Sequence, residues 1–273
     1  MGNDGRLSLH RRAPRSQSGG ELRGRLAPRA RELLPSSVGI AGPAPRALPP
    51  PARQHSESMK PCDCTNRHDT CRVVLTGGPG AGKTAVLELI RLFFCLHVKT
   101  LPEAAGIVFG GRFPRSDVTE LRQAAQRAIY HVQRELESTA DVNNTAVVLC
   151  DRGTVDGAAY WKGPGDLFAS VGSTLERELA RYHAVIHLQT PTSPDAYGRE
   201  NPLRIESIEE AAAIDAIIAQ QWSKHPRYFA VHATVDFLTK AARALALLRD
   251  EVPECCRHHV KPFLWDIAQQ GPR

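Results

Sequence analysis

The chain has 273 residues, 42% hydrophobic and 23% charged, enough to bury the core of one large α/β domain. Its formal charge of +6 lies wholly in residues 1–58, where ten arginines face four carboxylates; the remainder is balanced, which argues against a nucleic-acid groove in the folded part. No run reaches the roughly 18 apolar residues that a bilayer span requires, no leader pattern opens the chain, and the seven cysteines form no disulfide-type framework, so a cytoplasmic protein is expected.

Residues 1–58 are rich in Arg, Pro, Gly and Ser, without helical or strand period, and are expected to be disordered. A flexible tail, an untranslated stretch ahead of Met59 and an organelle presequence all fit that composition. A folded domain is expected over 59–249, followed by a tail over 250–273. Within the domain, Arg72 to Thr76 reads as a buried strand and Lys83 to His97 as a helix. Val98 to Ala105 reads as extended and Gly106 to Ser116 as a loop. Asp117, with Glu120 as box partner, is placed to cap a helix running to Ser138. Ala146 to Cys150 reads as a strand ending at Asp151, Ser173 to Tyr182 as a helix, and Ala184 to Leu188 as a third apolar strand. A polar, lid-like segment spans 190–206. Ser207 and Glu210 then open a helix to Lys224, Arg227 to Ala233 forms a strand, and Asp236 caps a last helix to Arg249. Alternating strands and helices predict an α/β three-layer sandwich, a P-loop NTPase of kinase-like type with about five parallel strands. In such sheets ligands sit at the carboxyl ends of the strands.

Gly77, Gly78, Pro79, Gly80, Ala81, Gly82, Lys83 and Thr84 match G-x-x-x-x-G-K-[ST] in full. Glycines let backbone N–H groups close around phosphate, and the following helix offers its positive end. Lys83 is placed for the β/γ-phosphates and the Thr84 hydroxyl for Mg²⁺, so ATP or GTP with Mg²⁺ is the expected ligand. Asp151, ending an apolar strand, fits a Walker-B carboxylate that holds Mg²⁺ directly or through water, the alternative being an N-cap or turn Asp. Arg152 fits either an acceptor phosphate or a structural pair, and Asp156 either a substrate or a turn. Glu103 stands where a base could take the proton of an attacking hydroxyl, and equally where a solvated loop carboxylate would stand. Arg199 and Arg204 fit either a closing loop that brings charge to a transferring phosphoryl group or a surface loop with scattered charge, and the order of loop and helix favours the first. Trp222, His225 and Tyr228 read as core, and the stretch around His232 and Thr234 as the neighbourhood of a nucleotide base.

Cys62, Cys64, His68 and Cys71 are tightly spaced, and Cys255 and Cys256 stand beside His258 and His259. Zinc is one reading of each group. Crowded or adjacent ligands speak against a single ion in either.

The runs LTGGPGAGKTAVLELI, PEAA, VVLCDRGTVDGAAYW and HLQTPTSPDAYGRENPLRIESIEEAAAIDAII resemble the AAA-type P-loop family related to NadR-type nicotinamide-riboside kinase domains. The group is also similar to a P-loop protein of TRPL channel translocation that binds GTP and phosphoinositides. The resemblance covers residues 71–249. It implies a Walker-B strand beside the P-loop strand, phosphate binding by Gly77 to Thr84, metal support by Asp151 and lid arginines at Arg199 and Arg204. Glu103 matches the acceptor-side carboxylate of nucleoside kinases, although PEAA departs from their motifs. The expected activity is γ-phosphoryl transfer to a small-molecule acceptor of nucleoside type. The alternative is a nucleotide-dependent switch with slow hydrolysis that recruits a protein or an anionic lipid.

Overall fold

A computed structural model of the chain describes residues 62–140, 145–192, 207–233 and 236–258. Five parallel strands form its sheet: β1 (Cys71–Thr76), β2 (Val98–Leu101), β3 (Val147–Asp151), β4 (Ala184–Leu188) and β5 (Tyr228–Val231), in the order β2-β3-β1-β4-β5. The expected Walker-B strand therefore pairs directly with the P-loop strand, with Leu75 opposite Asp151.

The strand residues alternate between two cores. Val73, Leu75, Val147, Leu149, Ala184 and Ile186 face one layer, while Val74, Val148, Cys150 and Val185 face the other. Because both faces are covered, the strands read as nearly continuous apolar runs. On the first face lie α1 (Lys83–Phe93) and the C-terminal α7 (Phe237–Glu251), through Val86, Ile90, Leu245 and Leu248. On the second lie α3 (Thr119–Ala140), the one-turn α5 (Leu175–Leu179) and α6 (Ile208–Trp222), with Trp222 fully buried. This is the predicted P-loop NTPase sandwich.

Local capping signals largely hold. Ser207 and Glu210 form a reciprocal box at the start of α6, at 3.1 and 2.8 Å, and the Asp236 carboxylate accepts from Thr239 N–H at 3.0 Å. Other expectations are corrected. Residues Ala104–Gly110, read as strand end and loop, form helix α2, with Glu103 at its N-cap. Helix α3 starts at Thr119, so the Asp117–Glu120 box does not form; Val118 N–H donates instead to Ser116 Oγ at 3.1 Å. The helix expected over Ser173–Tyr182 shrinks to α5, capped by Thr174, because the turn after it must deliver Tyr182 to the core. Between α3 and α5 the chain also forms a short 3₁₀ turn, Thr154–Ala159, and the one-turn α4 (Leu167–Ser170). The expected tail is not wholly irregular. Glu254–Arg257 forms the one-turn α8, and Cys256 is fully buried in the first core. The N-terminal segment 1–58 and most of the lid-like segment 190–206 lie outside the described residues.

Candidate nucleotide and acceptor site

The P-loop leaves β1 and winds into α1 through two left-handed glycines, Gly80 (φ 77°) and Gly82 (φ 91°). Gly77, at φ 142°, passes so close to β4 that a Cβ there would lie 2.2 Å from Leu188 O. Only glycine fits that approach. Gly82 stands at the N-cap of the eleven-residue α1, so the helix's unpaired N–H groups face the loop's interior, the arrangement that attracts phosphate.

Lys83 is buried. Its ammonium donates to the carbonyls of Gly77 (2.8 Å) and Gly78 (3.1 Å), folding back on its own loop. Burial, helped by the nearby Arg152 charge, lowers its pKa to about 8. Thr84, one residue on, is exposed. Asp151, at the carboxyl end of β3, has its pKa raised to about 6, chiefly by burial. Its Oδ1 is buried with no hydrogen-bond partner among the described residues. A carboxylate oxygen in that condition beside a phosphate loop suits a hard divalent cation or its water shell.

Arg152 follows in a left-handed conformation (φ 67°), its N–H held by Leu75 O at 3.1 Å. Its guanidinium donates to Glu103 Oε1 (2.7 Å), Gly77 O (3.0 Å) and Asp156 Oδ1 (3.2 Å), and lies 5.6 Å from the Tyr160 ring centre. It ties the start of α2, the P-loop and the 3₁₀ turn together. Burial raises the Glu103 carboxyl, but the charge and hydrogen bond of Arg152 outweigh it and hold the pKa below the usual range. A cleft of about 670 Å³ runs from the P-loop across this pair to α2, α3 and Tyr160. Lys83, Thr84, Glu103, Asp151 and Arg152 all line it, so the structure brings these candidates together. Arg199, Arg204 and Thr234 lie outside the described residues. His232 is exposed, with Nδ1 3.0 Å from Gln189 Oε1.

Asp156 faces inward. Its carboxylate accepts from Thr76 Oγ1 (2.5 Å), Gly153 N–H (3.0 Å) and Trp222 Nε1 (3.0 Å), besides Arg152. That set supports the turn reading over the substrate reading.

Two supports of the P-loop escaped the sequence. Asp215, on α6, accepts from Gly78 N–H (2.6 Å) and Thr190 N–H (3.1 Å), with His187 Nε2 at 2.9 Å. Lys240, on α7, donates to Ala81 O (2.8 Å) and Gln189 O (2.5 Å), and burial lowers its pKa to about 8. Each is a single charge on an otherwise apolar helical face, and that was the available signal.

A family model described as an AAA domain matches residues 72–238, more than half of the chain. No curated protein matches. Among solved structures the chain is similar to deoxyadenosine kinase from M. mycoides with bound dATP, at 16% identity and a TM-score of 0.46, over 65% of this chain and 98% of that one. No helix among the described residues is long and apolar enough to cross a membrane. With the complete phosphate loop and the five-stranded parallel sheet, the family match places this chain in the AAA domain family, in its P-loop NTPase fold.

Proposed function

We propose that the chain is an ATP- or GTP-dependent phosphotransferase that moves the γ-phosphoryl group to a hydroxyl of a small, nucleoside-type acceptor. The observation that carries this reading is the continuation of the cleft past the P-loop to the Glu103–Arg152 pair. The same cleft that holds the phosphate loop leaves space beside Glu103, Arg152 and Tyr160 for an acceptor hydroxyl.

In this reading the P-loop N–H groups and the α1 N-terminus hold the β- and γ-phosphates. Lys83 leaves the carbonyls of Gly77 and Gly78 and turns its ammonium to the phosphate oxygens. Thr84 Oγ1 and Asp151 would hold Mg²⁺, which, when bound, offsets the charge of the phosphates. Glu103 accepts the acceptor's hydroxyl proton, and its depressed pKa keeps it ionised for that step. Arg152 fixes the Glu103 carboxylate and walls the acceptor chamber with Tyr160.

The test is release of ADP or GDP by the full chain with Mg²⁺, alone and with a panel of nucleosides, including nicotinamide riboside, and phosphorylated sugars. Lys83→Ala is the control. Release stimulated by one acceptor class and lost in the control supports the kinase. Slow release that no acceptor accelerates, together with nucleotide-dependent capture by anionic vesicles, would instead favour the switch.

A further inference from the structure

At the end of the sheet opposite the P-loop, three distant segments bring seven sulfur and nitrogen donors together. Cys62, Cys64 and His68 precede β1, Cys95 and His97 lie between α1 and β2, and Cys255 and Cys256 lie on α8. The donors fall into two quartets: Cys62, Cys95, His97 and Cys256, and Cys64, His68, Cys255 and Cys256. In each, the donor atoms all lie within 4.8 Å of one another, and Cys256 belongs to both.

The spacings are those of tetrahedral edges. Zinc bonds of about 2.3 Å to sulfur and about 2.05 Å to nitrogen give edges of about 3.8 Å between sulfurs and about 3.6 Å between sulfur and nitrogen. In the first quartet Cys62 and Cys256 Sγ are 3.8 Å apart, and His97 Nδ1 is 3.3 Å from Cys256 Sγ and 3.9 Å from Cys95 Sγ. In the second, Cys64 and Cys255 Sγ are 3.5 Å apart and lie 3.4 and 3.6 Å from His68 Nε2, while Cys255 and Cys256 Sγ are 3.8 Å apart. No disulfide joins any of them. Cys255 and Cys256, although adjacent in sequence, hold their sulfurs at the separation of one tetrahedral edge. The donor set is thiolate and imidazole without carboxylate, which suits zinc rather than magnesium or calcium.

We propose that the chain carries a structural pair of zinc ions bridged by the Cys256 thiolate, one completed by Cys62, Cys95 and His97, the other by Cys64, His68 and Cys255. Two tetrahedra that share one corner need seven ligands, the number present. All positions are filled by protein, the pattern of a structural rather than a catalytic site. The role is a staple. Residues 62–70 form no helix or strand, and α8 is a single turn, too short to persist alone. The ions anchor both to the entry of β2.

The test is metal content of the full chain, purified without chelator or affinity tag, by inductively coupled plasma mass spectrometry. Two zinc ions per chain are expected. Cobalt exchanged for zinc should give thiolate-to-metal charge-transfer absorption. Cys62→Ser should retain one zinc, Cys256→Ser neither, and Cys71→Ser both. One zinc per unaltered chain overturns the bridged pair. None, or iron in its place, overturns the site. Because these counts are made on the unaltered chain, a variant that fails to fold leaves them intact.

Discussion

Asp215 accepts a hydrogen bond from the backbone N–H of Gly78 at 2.6 Å, although 137 residues separate them. The carboxylate also receives Thr190 N–H and His187, so one side chain of α6 fixes the outer wall of the P-loop to the end of β4. Asp215→Ala strands three polar partners, two of them backbone N–H groups. A loss of about 3 kcal/mol in denaturant unfolding is expected, with weaker nucleotide binding. Asp215→Asn keeps one acceptor oxygen and should lose less.

The same residue sets an acid limit. Burial pushes the Asp215 carboxyl up, but its bonds from His187, Gly78 and Thr190 outweigh burial and hold the pKa below the ordinary value. Its stabilising contribution is therefore complete above the unfolded pKa of about 3.9 and is lost as pH falls through the lower folded value. Asp215→Asn should flatten the acid limb of a stability-against-pH curve, and an unchanged limb would assign it to other carboxylates.

Nucleotide binding should have two pH limits. Asp151, at about 6, must be ionised to hold a cation, so Mg²⁺-dependent affinity weakens as pH falls through that value. Lys83, at about 8, must be charged to hold phosphate, so affinity also weakens as pH rises through 8. Phosphate raises the lysine value once bound, and calorimetry in buffers of different ionisation enthalpy should detect proton uptake on the alkaline side. Asp151→Asn should abolish the acid limb and the Mg²⁺ dependence together.

Glu103→Gln preserves an oxygen for the Arg152 hydrogen bond and removes the base. Turnover should fall by about 10²-fold or more while nucleotide affinity changes little. A parallel loss of nucleotide binding would reassign Glu103 to holding Arg152 and the loop.

Asp156→Ala should damage folding rather than chemistry alone. Thr76, Gly153, Arg152 and Trp222 would each lose an acceptor, and a cost of about 3–5 kcal/mol is expected in unfolding experiments. Full stability with altered acceptor preference would restore the substrate reading.

What the sequence by itself determined follows from short-range physics. The glycine and lysine spacing of residues 77–84, the apolar runs of β1, β3 and β4, and the Ser207 and Asp236 caps depend on near neighbours, and each was legible one window at a time. Helix α2 was hidden because Gly106, Gly110 and Gly111 make AAGIVFGG resemble a loop, and its packing against α3 overrides that weak propensity. The tertiary structure alone decided the pairing of Glu103 with Arg152, which requires β2 to lie beside β3. It also decided the support of the P-loop by Asp215 and Lys240, and the meeting of Cys62 with Cys256 across 194 residues. Such contacts arise from strand order and helix packing, which bring together residues whose local sequence carries no record of the partner.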